Sequence, residues 1–223
     1  MKPHTLARPL VAGAVSVAAG AAGASAAPAQ IAAPAGVSTA QPRITVAQRK
    51  LDVRLGRHVV VRGHLAPATG GVRVALQMWN GRRWATIDRA HTRASGRYAL
   101  RDRRRTTGSR ALRVRNAAAP GVLPGTRRVG RLNVFRVANA SWYGPGLYGN
   151  HLGCGGTLTP GSLGVAHKTL PCGTKVTLKH GRRTLRVPVI DRGPYVGGRE
   201  YDLTQATAQR LGFVGHGAIL TTR

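Results

Sequence analysis

Carboxylates are the scarcest functional groups in this sequence. Its 223 residues hold six, Asp52, Asp88, Asp102, Asp191, Glu200 and Asp202, against 35 Lys and Arg, for a formal charge of +29. Any acid–base chemistry must draw on that short supply. Aromatic residues make up 4% of the chain, too few for the stacking platforms with which single-strand nucleic-acid binders hold bases. The two cysteines cannot enclose a metal by themselves, although they can form one disulfide. No Gly-rich phosphate loop, Ser-His-Asp order or metal-ligand spacing occurs, so neither a cofactor nor a metal is expected. What the sequence has in quantity, besides Arg, is 30 Gly and 13 Pro, a composition that interrupts long helices and favours turn-rich β structure.

Residues 1–26 read as a signal peptide. Lys2 and Arg8 precede an apolar run from Leu10 to Ala22, and Ala24-Ser25-Ala26 follows, the order of a basic segment, a short hydrophobic segment and an A-x-A cleavage site. The run is Ala-rich, broken by Gly13 and Gly20, and short for a membrane span. Cleavage near Ala26 and export to the cell wall are therefore expected, with no membrane span in the mature protein. An oxidising compartment favours a Cys154–Cys172 disulfide. Residues 27–43, rich in Ala, Pro, Gln and Ser, read as a disordered linker.

From residue 44 to 136 the pattern turns to short alternating runs. Val72, Val74, Leu76 and Met78 share one face; Asn80-Gly81 then leads to a second run from Trp84, a hairpin signal. Further runs at 58–65, 97–101, 110–115 and 129–136 give about seven short strands, an antiparallel sandwich. This stretch resembles bacterial immunoglobulin-like modules in its G-x-L-x-P turn and N-G-x-x-W hairpin. It also holds most of the charge: residues 41–140 carry 23 Lys and Arg and three Asp, whereas residues 141–223 carry ten and three. The sum implies attraction to acidic wall polymers. Nucleic acid would be held only through the same unspecific term.

The C-terminal segment, 138–223, carries Ser141-Trp142-Tyr143-Gly144, then Ala166-His167-Lys168-Thr169-Leu170-Pro171-Cys172-Gly173-Thr174, then Asp191-Arg192-Gly193-Pro194, then Asp202-Leu203-Thr204 ahead of a helical stretch ending at Gly212. Those four ordered motifs resemble the rare-lipoprotein-A-like double-psi β-barrel family, which includes septal lytic transglycosylases and is related to expansins. The resemblance implies a six-stranded barrel with one short helix, so the whole chain is expected to be all-β: a sandwich followed by a barrel. It further implies peptidoglycan glycan strands as substrate.

Asp191 has the parity of Leu185, Val187 and Val189, so alternation sends it to their face just before Gly193-Pro194 ends the strand. Such an Asp either bonds turn amides or is displayed at a groove; the resemblance makes it the general acid, with His167 the family's functional histidine. Asp202, in capping-box spacing with Gln205, reads as the cap of a helix from 202 to 211. Trp142, Tyr143, Tyr148 and Tyr195 are candidates for stacking on sugar rings, with core packing as the other reading, and Arg192 joins them as a substrate-binding residue.

The sequence departs from the family at two positions. Active members have a Glu eleven residues before the His and an Asp eight before it; here those positions are Gly156 and Thr159. Hydrolysis needs two carboxylates flanking the bond, whereas lytic transglycosylation uses the sugar's own 6-hydroxyl and a single proton shuttle. Two functions follow: a lytic transglycosylase-like enzyme (a lyase) giving 1,6-anhydro products through Asp191, or a non-catalytic expansin-like peptidoglycan-binding module. A monomer is expected in either case.

Overall fold

A computed structural model describes residues 41–223; the expected signal peptide and nearly all of the expected linker lie outside the described residues. The first eight strands are β1 (Arg43–Lys50), β2 (Asp52–Arg54), β3 (His58–Ala66), β4 (Arg73–Trp79), β5 (Trp84–His91), β6 (Arg97–Arg103), β7 (Gly108–Asn116) and β8 (Gly125–Tyr143). They form two facing sheets. One has the order β1-β3-β6; in the other β8, β7, β4 and β5 are neighbours. Strict alternation sets the faces: Val59, Val61 and Leu65 from β3, Val74 and Leu76 from β4, Leu112 and Val114 from β7 close one core. Each such side chain adds roughly 1.5–3 kcal/mol on burial.

Two details of the sandwich differ from its expected form. The alternation predicts about seven antiparallel strands, but there are eight, and β2 runs parallel to β8, pairing Asp52–Arg54 with Asn133–Phe135. After Lys50 the chain leaves β3 for the opposite sheet, so the opening strand is divided between the two layers. The Asn80-Gly81 hairpin forms with residues 80–83 as its connection; the Asn80 Oδ1 accepts from the Arg82 and Arg83 amides at 2.9 and 2.8 Å. Trp79 and Trp84 face each other across it, with ring centroids 5.6 Å apart.

The remaining strands are β9 (Val165–Ala166), β10 (Lys175–His180), β11 (Arg183–Asp191), β12 (Tyr201–Thr204) and β13 (Gly217–Thr221), with α1 (Gln205–Leu211) between the last two. Around this ring β8 pairs with β13, β13 with β10, β10 with β11, β11 with β9, β9 with β12, and β12 with β8 again. The sheet closes on itself through six strands, as the resemblance implied. Tyr201, Leu203, Val165, Val187, Val189, Leu178 and Leu211 fill its core.

The helix begins later than the capping-box spacing predicts. Residues 202–204 are strand, because Tyr201 and Leu203 alternate into the core. Thr204, not Asp202, is the N-cap: its side chain accepts from the Thr207 amide, and Gly212 ends the helix in the left-handed conformation at φ 63°.

No break separates sandwich and barrel. Strand β8 is 19 residues long; Leu132 and Val134 enter the first core and Ala138 and Ala140 the second. The boundary read between 136 and 138 falls inside a continuous strand, with Arg136 at the crossing.

Candidate active site

The chemistry gathers on the outer face of the barrel, through an irregularity in β11. Val189 pairs with Val165, but the next partners are Asp191 and Ala166, so two steps on β11 meet one on β9. That is a β-bulge, which breaks alternation and re-aims the side chain after it. Asp191 therefore does not share the face of Val187 and Val189, as strict parity predicts. It joins Ala166, which pairs on its other side with Asp202, which in turn pairs with Ser141 of β8. Paired residues project to the same side of a sheet, so Asp191, Ala166, Asp202 and Ser141 make one lateral row. The two carboxylate-bearing residues stand two strands apart, about 10 Å between Cα atoms, with Ala166 on the strand between them. Tyr143, two residues on from Ser141, lies on the same face.

Asp191 is anchored by one oxygen. Its Oδ1 accepts from the backbone amides of Gly153 at 2.7 Å and Arg192 at 2.8 Å, while its Oδ2 has no close hydrogen-bond partner among the described residues. Of the two sequence readings of this residue, the bonds to turn amides are the one present in the structure. Asp202 accepts from the Ser141 hydroxyl at 2.8 Å, and the Arg199 guanidinium donates to that same hydroxyl at 3.2 Å. Burial raises the Asp202 pKa, with the Asp191 charge adding to it and Ser141 and Arg199 opposing. The buried Tyr143 hydroxyl makes no close hydrogen bond among the described residues, but it lies against the Asp191 carboxylate: burial first, then the Asp191 charge and a hydrogen bond to that carboxylate, raise its pKa, so it stays protonated.

His167 follows β9 directly. Its Nδ1 accepts from the amides of Thr169 and Leu170 at 3.1 and 3.0 Å, which places the proton of the neutral ring on Nε2. That nitrogen lies 3.8 Å from Glu200 Oε1, and the ring packs on Tyr201 with centroids 5.0 Å apart. Burial lowers the His167 pKa, more than Glu200 raises it. The main-chain N–H of His167 donates to the Asp191 carbonyl at 3.2 Å, so the two residues are backbone neighbours.

Glu200 is the site residue that sequence reasoning passed over. Arg136 holds it with both guanidinium NH groups, one of them at 2.8 Å from Oε2. Burial pushes the Glu200 pKa up, but the Arg136 bonds and charge outweigh it and the net shift is downward. The only available signal was the scarcity of acids: Glu200 is one of three in this segment. Its lowered value makes the clamp pH-dependent. The folded state gives up the proton more readily than the unfolded chain, so the stabilisation is present above the ordinary value of 4.5 and is lost as pH falls through the lowered one. In urea titrations the stability gap between wild type and Glu200→Gln is expected to be widest near neutral pH and to shrink in that acid window. A gap of constant size down to pH 3 would overturn this.

The expected sugar-contacting residues are dispersed. Trp142 packs against the barrel core on the opposite face of β8 from Tyr143 and lines a cavity of about 330 Å³ with Gln205, Gln209, Phe213 and Val214. Tyr148 bonds Gln205 through its hydroxyl. Tyr195 is 80% exposed beyond Asp191. The Arg192 guanidinium is taken up by the carbonyls of Leu170 at 2.7 Å and His167 at 3.2 Å, and by Cys172 Sγ at 3.0 Å. Cys154 and Cys172 form a disulfide, which ties the loop carrying Gly153 to the turn before β10. Gly156 sits in this loop at φ +80° with open space around it, a backbone conformation that a Glu side chain would strain. Thr159 bonds Ser162 through both its amide and its hydroxyl. Neither supplies a carboxylate.

Comparison with known proteins finds likeness centred on the barrel segment. Residues 136–221 match the family described as lytic transglycolase. Curated relatives include a probable endolytic peptidoglycan transglycosylase RlpA of Synechocystis, 37% identical over 124 residues, which is 50% of this chain and 38% of that protein. The endolytic peptidoglycan transglycosylase RlpA of Campylobacter jejuni is 42% identical over 80 residues, 35% of this chain and 29% of the relative. A probable RlpA of Aquifex aeolicus is 42% identical over 83 residues, 36% of each. This chain thus spans less than two fifths of the length of each relative.

Proposed function

We propose that this protein, whose residues 136–221 match the lytic transglycolase family, is exported, after cleavage near Ala26, and cuts the glycan strands of peptidoglycan without water. The observation that carries the proposal is the bulge that turns Asp191 out beside Asp202 and Tyr143, with one oxygen fixed by two amides and the Tyr143 hydroxyl against the carboxylate. Asp191, as general acid, gives a proton from Oδ2 to the glycosidic oxygen as the bond from the anomeric carbon breaks. The same carboxylate then takes the proton of the sugar's 6-hydroxyl as that oxygen closes on the anomeric carbon. Atoms balance with no water consumed, and the product is a 1,6-anhydro sugar. His167 is assigned a positioning role, through its amide on the Asp191 carbonyl. Tyr195 and Tyr148 are the residues we assign to the glycan, and the cationic sandwich to retention in the wall.

A second reading is supported by Gly156 and Thr159, which stand where active relatives of the resembled family carry acids: an expansin-like module that grips peptidoglycan and leaves it intact. The two separate in one experiment. Purified peptidoglycan is incubated with the protein and the soluble products are examined by mass spectrometry. Fragments ending in 1,6-anhydro sugars are expected. Pelleting with peptidoglycan and no soluble product would overturn the enzyme and leave the binding module. Reducing ends would make water the nucleophile, with Asp202 as the second carboxylate across the row.

A further inference from the structure

A cavity of about 830 Å³ lies on the sandwich, away from the Asp191 face. Its shape follows from residue size. It is lined by the small residues Ala47, Gly63, Ala90 and Ala99 and by the long ones Arg62, His64, His91, Arg93 and Arg97. The exposed Ala47 and Ala99 lie among longer exposed side chains, which makes a trough on a surface that would otherwise be flat. Gly63 shares the inward parity of Val61 and Leu65, and a β-carbon there would overlap the Thr45 carbonyl oxygen and the Tyr98 ring on the core side. Ala47 reaches the trough through an irregularity in the β1–β3 register between Val46 and Gln48.

The trough has no acid in its lining, and the three acids of the sandwich are occupied elsewhere. Asp88 accepts from the Arg101 amide at 2.6 Å, Asp102 pairs with Arg104 at 2.6 Å, and Asp52 faces Lys179 at 3.4 Å. Of the three trough arginines, Arg62 donates to Gln48 at 3.0 Å; the guanidinium groups of Arg93 and Arg97 have no side-chain partner among the described residues. Cations gathered around small residues and left without counter-charges form a site for an anion, and three planar forks suit phosphate. The only Phe, Tyr or Trp ring in the lining is Tyr98, 4% exposed, with its hydroxyl committed to the Thr45 carbonyl at 2.8 Å. No large aromatic face is presented there for a base to stack on.

We propose that this trough binds a linear polymer of phosphodiester-linked polyol or sugar units, a ligand with repeated permanent charge and no aromatic bases. The site is independent of the barrel chemistry, so it stands or falls separately from the reading of Asp191.

The test must distinguish a built site from the charge of the whole molecule. Binding of a fluorescent glycerol-phosphate oligomer to the full chain is measured against salt for wild type and two variants of equal net charge. In the trough variant, Arg62, Arg93 and Arg97 are each changed to Ala; in the control, Arg127, Arg128 and Arg182, all exposed, are changed to Ala. The trough variant is expected to lose about tenfold or more in affinity, and about two to three units in the slope of log K against log salt. The control should lose less than about threefold, as distant exposed charges are screened. Equal losses in the two variants overturn the proposal. So does a thymidine oligonucleotide or a hyaluronate oligomer of equal charge binding wild type as tightly as the glycerol-phosphate chain.

Discussion

Replacing Asp191 by Asn is expected to lower the yield of 1,6-anhydro fragments by about 10²–10⁴-fold, the usual contribution of a positioned proton donor and acceptor, while the barrel stays folded. Asn keeps a carbonyl oxygen for the Gly153 and Arg192 amides that Asp191 now serves; what it lacks is a proton to give. Asp191→Ala removes the acceptor as well and leaves the amides of the exposed Gly153 and the half-buried Arg192 to water, at a cost of about 0.5–1.5 kcal/mol per bond. Thermal melts therefore separate the two substitutions where product assays do not. An Asn variant with wild-type turnover would remove Asp191 from the mechanism. Product loss in Asn accompanied by the same destabilisation as Ala would make the residue structural.

The largest expected stability effect comes from changing Cys154 and Cys172 together to Ser. The bridge closes a loop with a sequence separation of 18, and on chain entropy alone its removal costs roughly 3 kcal/mol. Gly153, whose amide fixes Asp191, immediately precedes the bridged Cys154, whose own amide donates to the Ile190 carbonyl at 3.2 Å. Turnover should therefore fall with stability, even at temperatures where the variant is fully folded. Denaturant midpoints measure the first effect and product yield at low temperature the second. Unchanged midpoints would show that the turns of the loop hold it without the bridge.

The sequence carried much of this architecture because alternation is a local signal. Val59-Val61, Val74-Leu76 and Val187-Val189 declare their faces over three residues, and each packs inward as read. The four ordered motifs placed the barrel, and the six-strand closure followed from the resemblance rather than from any periodicity. The failures share a cause: each depends on how strands pair. One extra residue near Ile190 moved Asp191 to the other face, and only its register against Val165 and Ala166 reveals that. Asp202 has the spacing of a cap, but Tyr201 and Leu203 claim their places in the core, and the backbone stays extended until Thr204. Glu200 became meaningful only when β8 brought Arg136 to it across 64 positions of sequence. The division of the opening strand at Lys50 likewise follows from the position of β8, remote in the chain.

The unbroken run of β8 also determines how the molecule carries load. On the proposed function, a sandwich held by a wall polymer and a barrel working on a glycan strand would pull on one another whenever the wall stretches. Modules joined by a loose connector would take up such tension as slack. Here the pull passes along a single extended strand of 19 residues, flanked by β7 and β2 over its first part and by β13 and β12 over its second. Parting the two ends means sliding several hydrogen-bonded ladders in shear at once, so the orientation of the barrel on its substrate is set by where the sandwich is held.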